Sequence, residues 1–79
     1  MKSKIYFFGA TADAVGHREI EIEVRDSSPV GSVLEDVSRD YPALSNYKLL
    51  VAVNQEYVQL DTTLNEGDEL AIFTPVSGG

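Results

Sequence analysis

Positions 19–24 alternate strictly between glutamate and a β-branched residue, which places Ile20, Ile22 and Val24 on one side and Glu19, Glu21 and Glu23 on the other. A period of two predicts a strand with its aliphatic side inward and three carboxylates facing water. Ile5-Tyr6-Phe7-Phe8 is apolar on both faces, so it reads as an inner strand with Ile5 and Phe7 on one face and Tyr6 and Phe8 on the other. Gly9 ends that run, and Ala10 to Val15 reads as a short helix stopped by Gly16 as a left-handed cap. The period then changes. Val30, Val33, Leu34 and Val37 recur at i, i+3, i+4 and i+7, the single apolar stripe of a helix that packs one face onto a sheet. Ser28 is expected to be its N-cap and Pro29 its first helical residue, where a missing N–H matters least. Tyr41 precedes Pro42 and is pushed away from helical angles, so the helix should end near Asp40. Leu44 to Lys48 reads as a loop or turn, followed by a largely buried strand over Leu49–Val53. Asn54-Gln55-Glu56 reads as a hairpin turn back into Tyr57-Val58-Gln59-Leu60. Leu64 to Asp68 forms the last turn, with Gly67 free to take positive φ before a strand-like run from Glu69 to Pro75.

Two strands, one main helix and returning strands imply an α+β fold, the ubiquitin-like β-grasp, with a mixed sheet of about five strands packed on one main helix. Its first and last strands should lie parallel at the centre, since the helix-containing middle segment supplies the crossover a parallel pair needs. The register then makes a statement about surface. If Ile5, Phe7, Leu70 and Ile72 face the helix, Phe8 and Phe73 share the side that no helix covers, and Tyr57 extends the patch. Exposed together, such rings mark a docking site; the alternative is that loops or the short helix after Gly9 bury them.

Seventy-nine residues suffice for one domain, here 1–79, with one modest core. The formal net charge of −7 opposes binding to nucleic acid or anionic membranes, because the six basic residues are scattered rather than clustered. Acidity serves solubility, and also suits steering towards a basic partner. Cysteine is absent, which removes disulfides and thiolate chemistry from this chain. No apolar run approaches the length of a bilayer span, and Met1 to Lys4 leads into a strand rather than a signal-peptide core, so a cytoplasmic protein is expected. The glutamate row admits a metal site or a merely solvated strand face, and the second is the ordinary case. His17 reads as a solvated loop residue, and Asp61 and Asp68 as turn-forming acceptors rather than an acid/base pair. No catalytic residues and no metal ligands are assigned.

After the final strand comes Pro75-Val76-Ser77-Gly78-Gly79, expected to be a flexible tail over 75–79. Two glycines without Cβ atoms can adopt any backbone angle and pass through a narrow channel, so the tail suits the presentation of a carboxylate. The plainer reading is a frayed terminus or a cloning scar.

With these residues assembled, the chain resembles, essentially end to end, the ubiquitin-like sulfur carriers of the MoaD and ThiS group, and within it the MoaD-type small subunit of molybdopterin synthase. The resemblance is carried by Phe7-Phe8-Gly9 with the following Ala10–Gly16 segment, by Leu50-Val51-Ala52-Val53-Asn54, by Leu64-Asn65-Glu66-Gly67-Asp68-Glu69, and above all by Phe73-Thr74-Pro75-Val76-Ser77-Gly78-Gly79. It implies a non-catalytic carrier whose Gly79 carboxylate is adenylated by a ubiquitin-activating-type enzyme (MoeB type) using ATP and Mg, and then converted to a thiocarboxylate. It also implies that the tail Pro75, Val76, Ser77 and Gly78 enters the active site of the synthase large subunit (MoaE type), where sulfur passes to a pterin precursor in molybdenum cofactor biosynthesis. Phe8, Tyr57 and Phe73 align with interface positions of the family, and no cofactor is implied for this chain itself. Many relatives carry a basic residue near Ala12 and a Pro-Pro pair at Thr74-Pro75; here the first is absent and the second halved. A thiamine-type carrier, a ubiquitin-like modifier joined to lysine through Gly79, and a purely structural interaction module are the alternatives.

Overall fold

A computed structural model describes residues 1–75; the expectations on Val76, Ser77, Gly78 and Gly79 lie outside these residues. Strand β1 (Lys2–Phe7) pairs antiparallel with β2 (Glu19–Glu23), Ile5 opposite Ile20. On its other side β1 runs parallel to β7 (Glu69–Phe73), Ile5 opposite Leu70 and Phe7 opposite Ile72. Strand β4 (Leu50–Val53) is antiparallel to β7 and is followed by the two-residue β5 (Glu56–Tyr57), giving the order β2-β1-β7-β4-β5. This is the expected β-grasp, with the first and last long strands parallel in the middle.

One face of the sheet carries Ile5, Phe7, Leu70, Ile72, Val51 and Val53, all buried. Helix α2 (Val30–Asp40) lays Val30, Val33 and Val37 in the same core, with Leu34 packed at its margin, as the stripe predicted. The sheet and α2 are the two layers that a core of this size needs. The short helix α1 (Ala10–Val15) ends at Gly16, whose φ of 84° and N–H bond to the Ala12 carbonyl at 2.8 Å make it the left-handed cap expected.

Four local expectations are corrected. Ser28 does not cap α2 and Pro29 is not its first helical residue. Together they form β3 (Ser28–Pro29), paired with β6 (Thr63–Leu64), and the Ser28 hydroxyl donates to the Arg25 carbonyl at 2.7 Å. The opening N–H groups of α2 are satisfied instead by backbone, Val30 donating to the Thr62 carbonyl and Gly31 to the Leu60 carbonyl, each at 2.8 Å. Residues Pro42–Asn46, expected to be partly loop, form a 3-10 helix that drives Leu44 fully into the core. The strand expected to run to Leu60 stops at Tyr57, because the chain leaves the sheet to bring Leu60 and Thr62 over the start of α2. A Cβ on Gly31 would lie 3.2 Å from both the Leu60 carbonyl oxygen and the Leu60 Cβ, which accounts for glycine at that approach.

Candidate functional site

The sheet face away from α2 carries a hollow whose shape follows from the register. Tyr6 lies opposite Ala71, Ala71 opposite Ala52, and Ala52 opposite Tyr57, so one row crosses four strands with two alanines in its middle and a tyrosine at each end. Small side chains make the floor and large ones the walls. Phe73 and Phe8 complete the lining, with Gln55, Glu69 and Thr74 also bordering it. The rings of Tyr57 and Phe73 meet edge to face, centroids 5.5 Å apart at 64°, a favoured aromatic geometry.

Phe8, Tyr57 and Phe73, singled out from the sequence, therefore converge on one surface. Phe8 is 56% and Tyr57 78% exposed, whereas Phe73 is half-buried, so among the described residues neither loops nor α1 cover the patch. Pro75 is exposed two residues beyond β7, so the chain leaves the sheet from the strand that carries Phe73.

Polar groups near the hollow are few. The Tyr6 hydroxyl donates to Glu69 Oε2 at 3.0 Å, and that bond, followed by partial desolvation and the charges of Glu69 and Glu19, raises the phenol pKa above its ordinary value. Towards the β2 edge the same face becomes charged, with Lys2 3.9 Å from Glu21 and Lys4 4.0 Å from Glu19. Glu21 and Glu19 of β2 thus stand in exposed ion pairs, and Glu23 lies 3.6 Å from the Met1 ammonium. Among the described residues no three His, Cys, Asp or Glu side chains gather as metal ligands. His17 and Asp61 are exposed. Asp68 is the turn acceptor expected, taking the Asn65 N–H at 2.8 Å and the Asn54 amide at 2.9 Å.

Three contributors escaped the sequence reading. Ala52 as floor becomes visible only once β4 is registered against β7. Glu69 as partner of Tyr6 requires the same cross-strand geometry. Thr11 is fully buried in α1, with its hydroxyl oxygen 3.0 Å from the Phe8 nitrogen, 2.8 Å from the Phe8 carbonyl and 2.8 Å from the Ile72 carbonyl. Only its position in an otherwise alanine-rich turn of helix signals it.

The ThiS family model matches residues 5–79, nearly the whole chain. The chain belongs to the ThiS family. This family member is 35% identical to the molybdopterin synthase sulfur carrier subunit of Mycobacterium tuberculosis over 83 aligned positions, covering 100% of this chain and 99% of that protein. It is 36% identical to the carrier subunit of the same name in Escherichia coli, covering 96% of this chain and 98% of that one. Among solved structures, the small archaeal modifier protein 1 of Haloferax volcanii superimposes with a TM-score of 0.85 at 28% identity, over 95% of this chain and 98% of the other. The residues that line the hollow in this ThiS-family chain all lie within the matched span. No helix among the described residues is long and apolar enough to cross a membrane.

Proposed function

We propose that this chain is the sulfur carrier subunit of a molybdopterin synthase. Its apolar hollow docks on partner proteins, and its Gly79 carboxylate carries the sulfur. The observation that carries this reading is the near-full-length relationship to curated sulfur carrier subunits, joined to an exposed aromatic face beside the strand from which the tail departs.

The chemistry assigns little to the chain itself. A carboxylate is a poor electrophile. An activating enzyme of the ubiquitin-activating type uses ATP and Mg to transfer AMP onto the Gly79 carboxylate, releasing pyrophosphate. Sulfur at the oxidation level of sulfide, supplied by the donor, then attacks the acyl carbon as HS⁻ and AMP departs, leaving a thiocarboxylate. Sulfur is thereby held in nucleophilic form without any cysteine in the chain. Binding such a tail in the active site of the synthase large subunit makes the later transfer to a pterin precursor effectively intramolecular. Catalytic groups come from the partners, and the carrier contributes a docking face and a terminus. Pro75, with φ fixed by its ring, limits the directions in which the tail departs, and Gly78 and Gly79 suit a channel too narrow for side chains.

Intact mass after incubation with ATP, Mg, an activating enzyme and a sulfur donor tests the reading. The expected result is a gain equal to the replacement of one oxygen by one sulfur, abolished by deleting Gly79. Unchanged mass with an enzyme that thiolates a control carrier would overturn it. The likeness to an archaeal modifier favours a second reading, in which Gly79 forms an isopeptide with lysine. Gly-Gly remnants of this chain on lysines of other proteins distinguish that outcome. A thiamine-type carrier would gain the same sulfur but fail to bind the molybdopterin synthase large subunit.

A further inference from the structure

Strands β1 and β7 make their last rung where Phe7 faces Ile72. One residue later the chain turns at Gly9, with φ 58°, into α1. At that point the Thr11 hydroxyl lies between the two strands, against the Phe8 N–H on one side and the Ile72 carbonyl on the other. A threonine hydroxyl has one hydrogen, so it accepts from the Phe8 N–H while donating to either the Ile72 or the Phe8 carbonyl. Without that hydroxyl, neither contact has a replacement of the same reach. A valine would fill the same volume but span nothing.

The two strand ends bridged in this way bear the rings of the hollow, since Phe8 follows Phe7 and Phe73 follows Ile72. We propose that Thr11 is a positioning residue: its hydroxyl takes the place of the missing rung and sets the spacing of Phe8 and Phe73 on the docking face. The proposal rests on the docking reading above and adds to it a residue that no partner touches, because Thr11 is fully buried. The spacing of two aromatic anchors decides whether both enter their pockets on a partner. Phe73 is held on its β4 side by its pairing with Leu50, and across the β1–β7 seam, where the ladder has ended, the link to Phe8 is the Thr11 hydroxyl.

Thr11→Val, Thr11→Ser and, as a control for general destabilisation, Val33→Ala on α2 separate positioning from packing. In Thr11→Val the Phe8 amide should exchange about tenfold faster relative to Ile5 and Phe7, the loss of one protecting hydrogen bond. Its Kd for the purified molybdopterin synthase large subunit should rise roughly fivefold. Thr11→Ser should restore both, and Val33→Ala should move neither out of step with global stability. A Thr11→Val protein that is less stable but keeps wild-type relative exchange at Phe8 and wild-type Kd overturns the proposal. If that variant does not fold, the wild-type protein decides by NMR: a protected Thr11 hydroxyl proton close to the Phe8 amide supports the role, and a freely exchanging hydroxyl refutes it. Failure of the wild-type chain to bind the large subunit counts against the sulfur-carrier reading, and the exchange measurements, which need no partner, then decide the role of Thr11.

Discussion

Asp68 shows how much one carboxylate can hold at a turn. Its two oxygens take the Asn65 N–H and the Asn54 side-chain amide, and Asn54 in turn accepts from the Glu69 N–H at 3.0 Å, so two separate turns are tied together. The backbone bond, helped by the amide, holds the Asp68 carboxyl below its ordinary value of 3.8. Since the folded pKa is the lower one, the stabilisation is complete above the unfolded value and fades as pH falls through the folded one. Urea unfolding followed from about pH 5 downwards should therefore show an acid-dependent loss of stability that is shallower in Asp68→Asn. An identical slope in both proteins would show that Asp68 has no part in it. The acceptor role of Asp68 was legible in the sequence because aspartate beside glycine in a turn has few other uses. The role of Thr11 was not, since its partners are backbone atoms brought together only by tertiary structure.

Among the elements, the hairpin between β4 and β5 has a sequence and a backbone that disagree. Asn54 and Gln55 both have positive φ, 51° and 71°, the signature of a type I′ turn that matches the twist of the strands. Asparagine tolerates this region and glutamine does not. Gln55→Gly should stabilise the protein by about 1 kcal/mol, measured by urea titration, because glycine escapes the Cβ clash of the left-handed region. The long elements were readable from period alone: the Ile20-Ile22-Val24 alternation and the Val30-Val33-Leu34-Val37 stripe each left one assignment open. The start of α2 was misread for a definite reason. Ser28 and Pro29 have the local chemistry of a helix start, yet carbonyls of Leu60 and Thr62, about thirty positions later, occupy the N–H groups that a side-chain cap would serve. Leu44 was missed because a single apolar residue in a 3-10 turn has no period to betray it.

At the scale of the molecule, an apolar hollow sits on a chain of net charge −7, and the two features act on different steps of association. Long-range charge governs the rate of encounter, and desolvated aromatic rings govern how long the complex lasts. Raising ionic strength should slow association if the partner's docking surface is basic, while Phe73→Ser should act on dissociation and weaken binding by at least about 1 kcal/mol. Surface plasmon resonance separates the two; an unchanged dissociation rate for Phe73→Ser would remove that ring from the interface. The open face was foreseen from strand register because Phe8 and Phe73 each follow a buried residue on neighbouring central strands. The parallel placement of β1 and β7 has a mechanical corollary. A pull on the chain at Pro75, directed along β7, loads the hydrogen bonds to β1 and to β4 simultaneously in shear, instead of peeling them one at a time from a free edge. The strand that leads to Pro75 is thus clamped on both flanks, and a load applied there is shared between two ladders rather than borne by one.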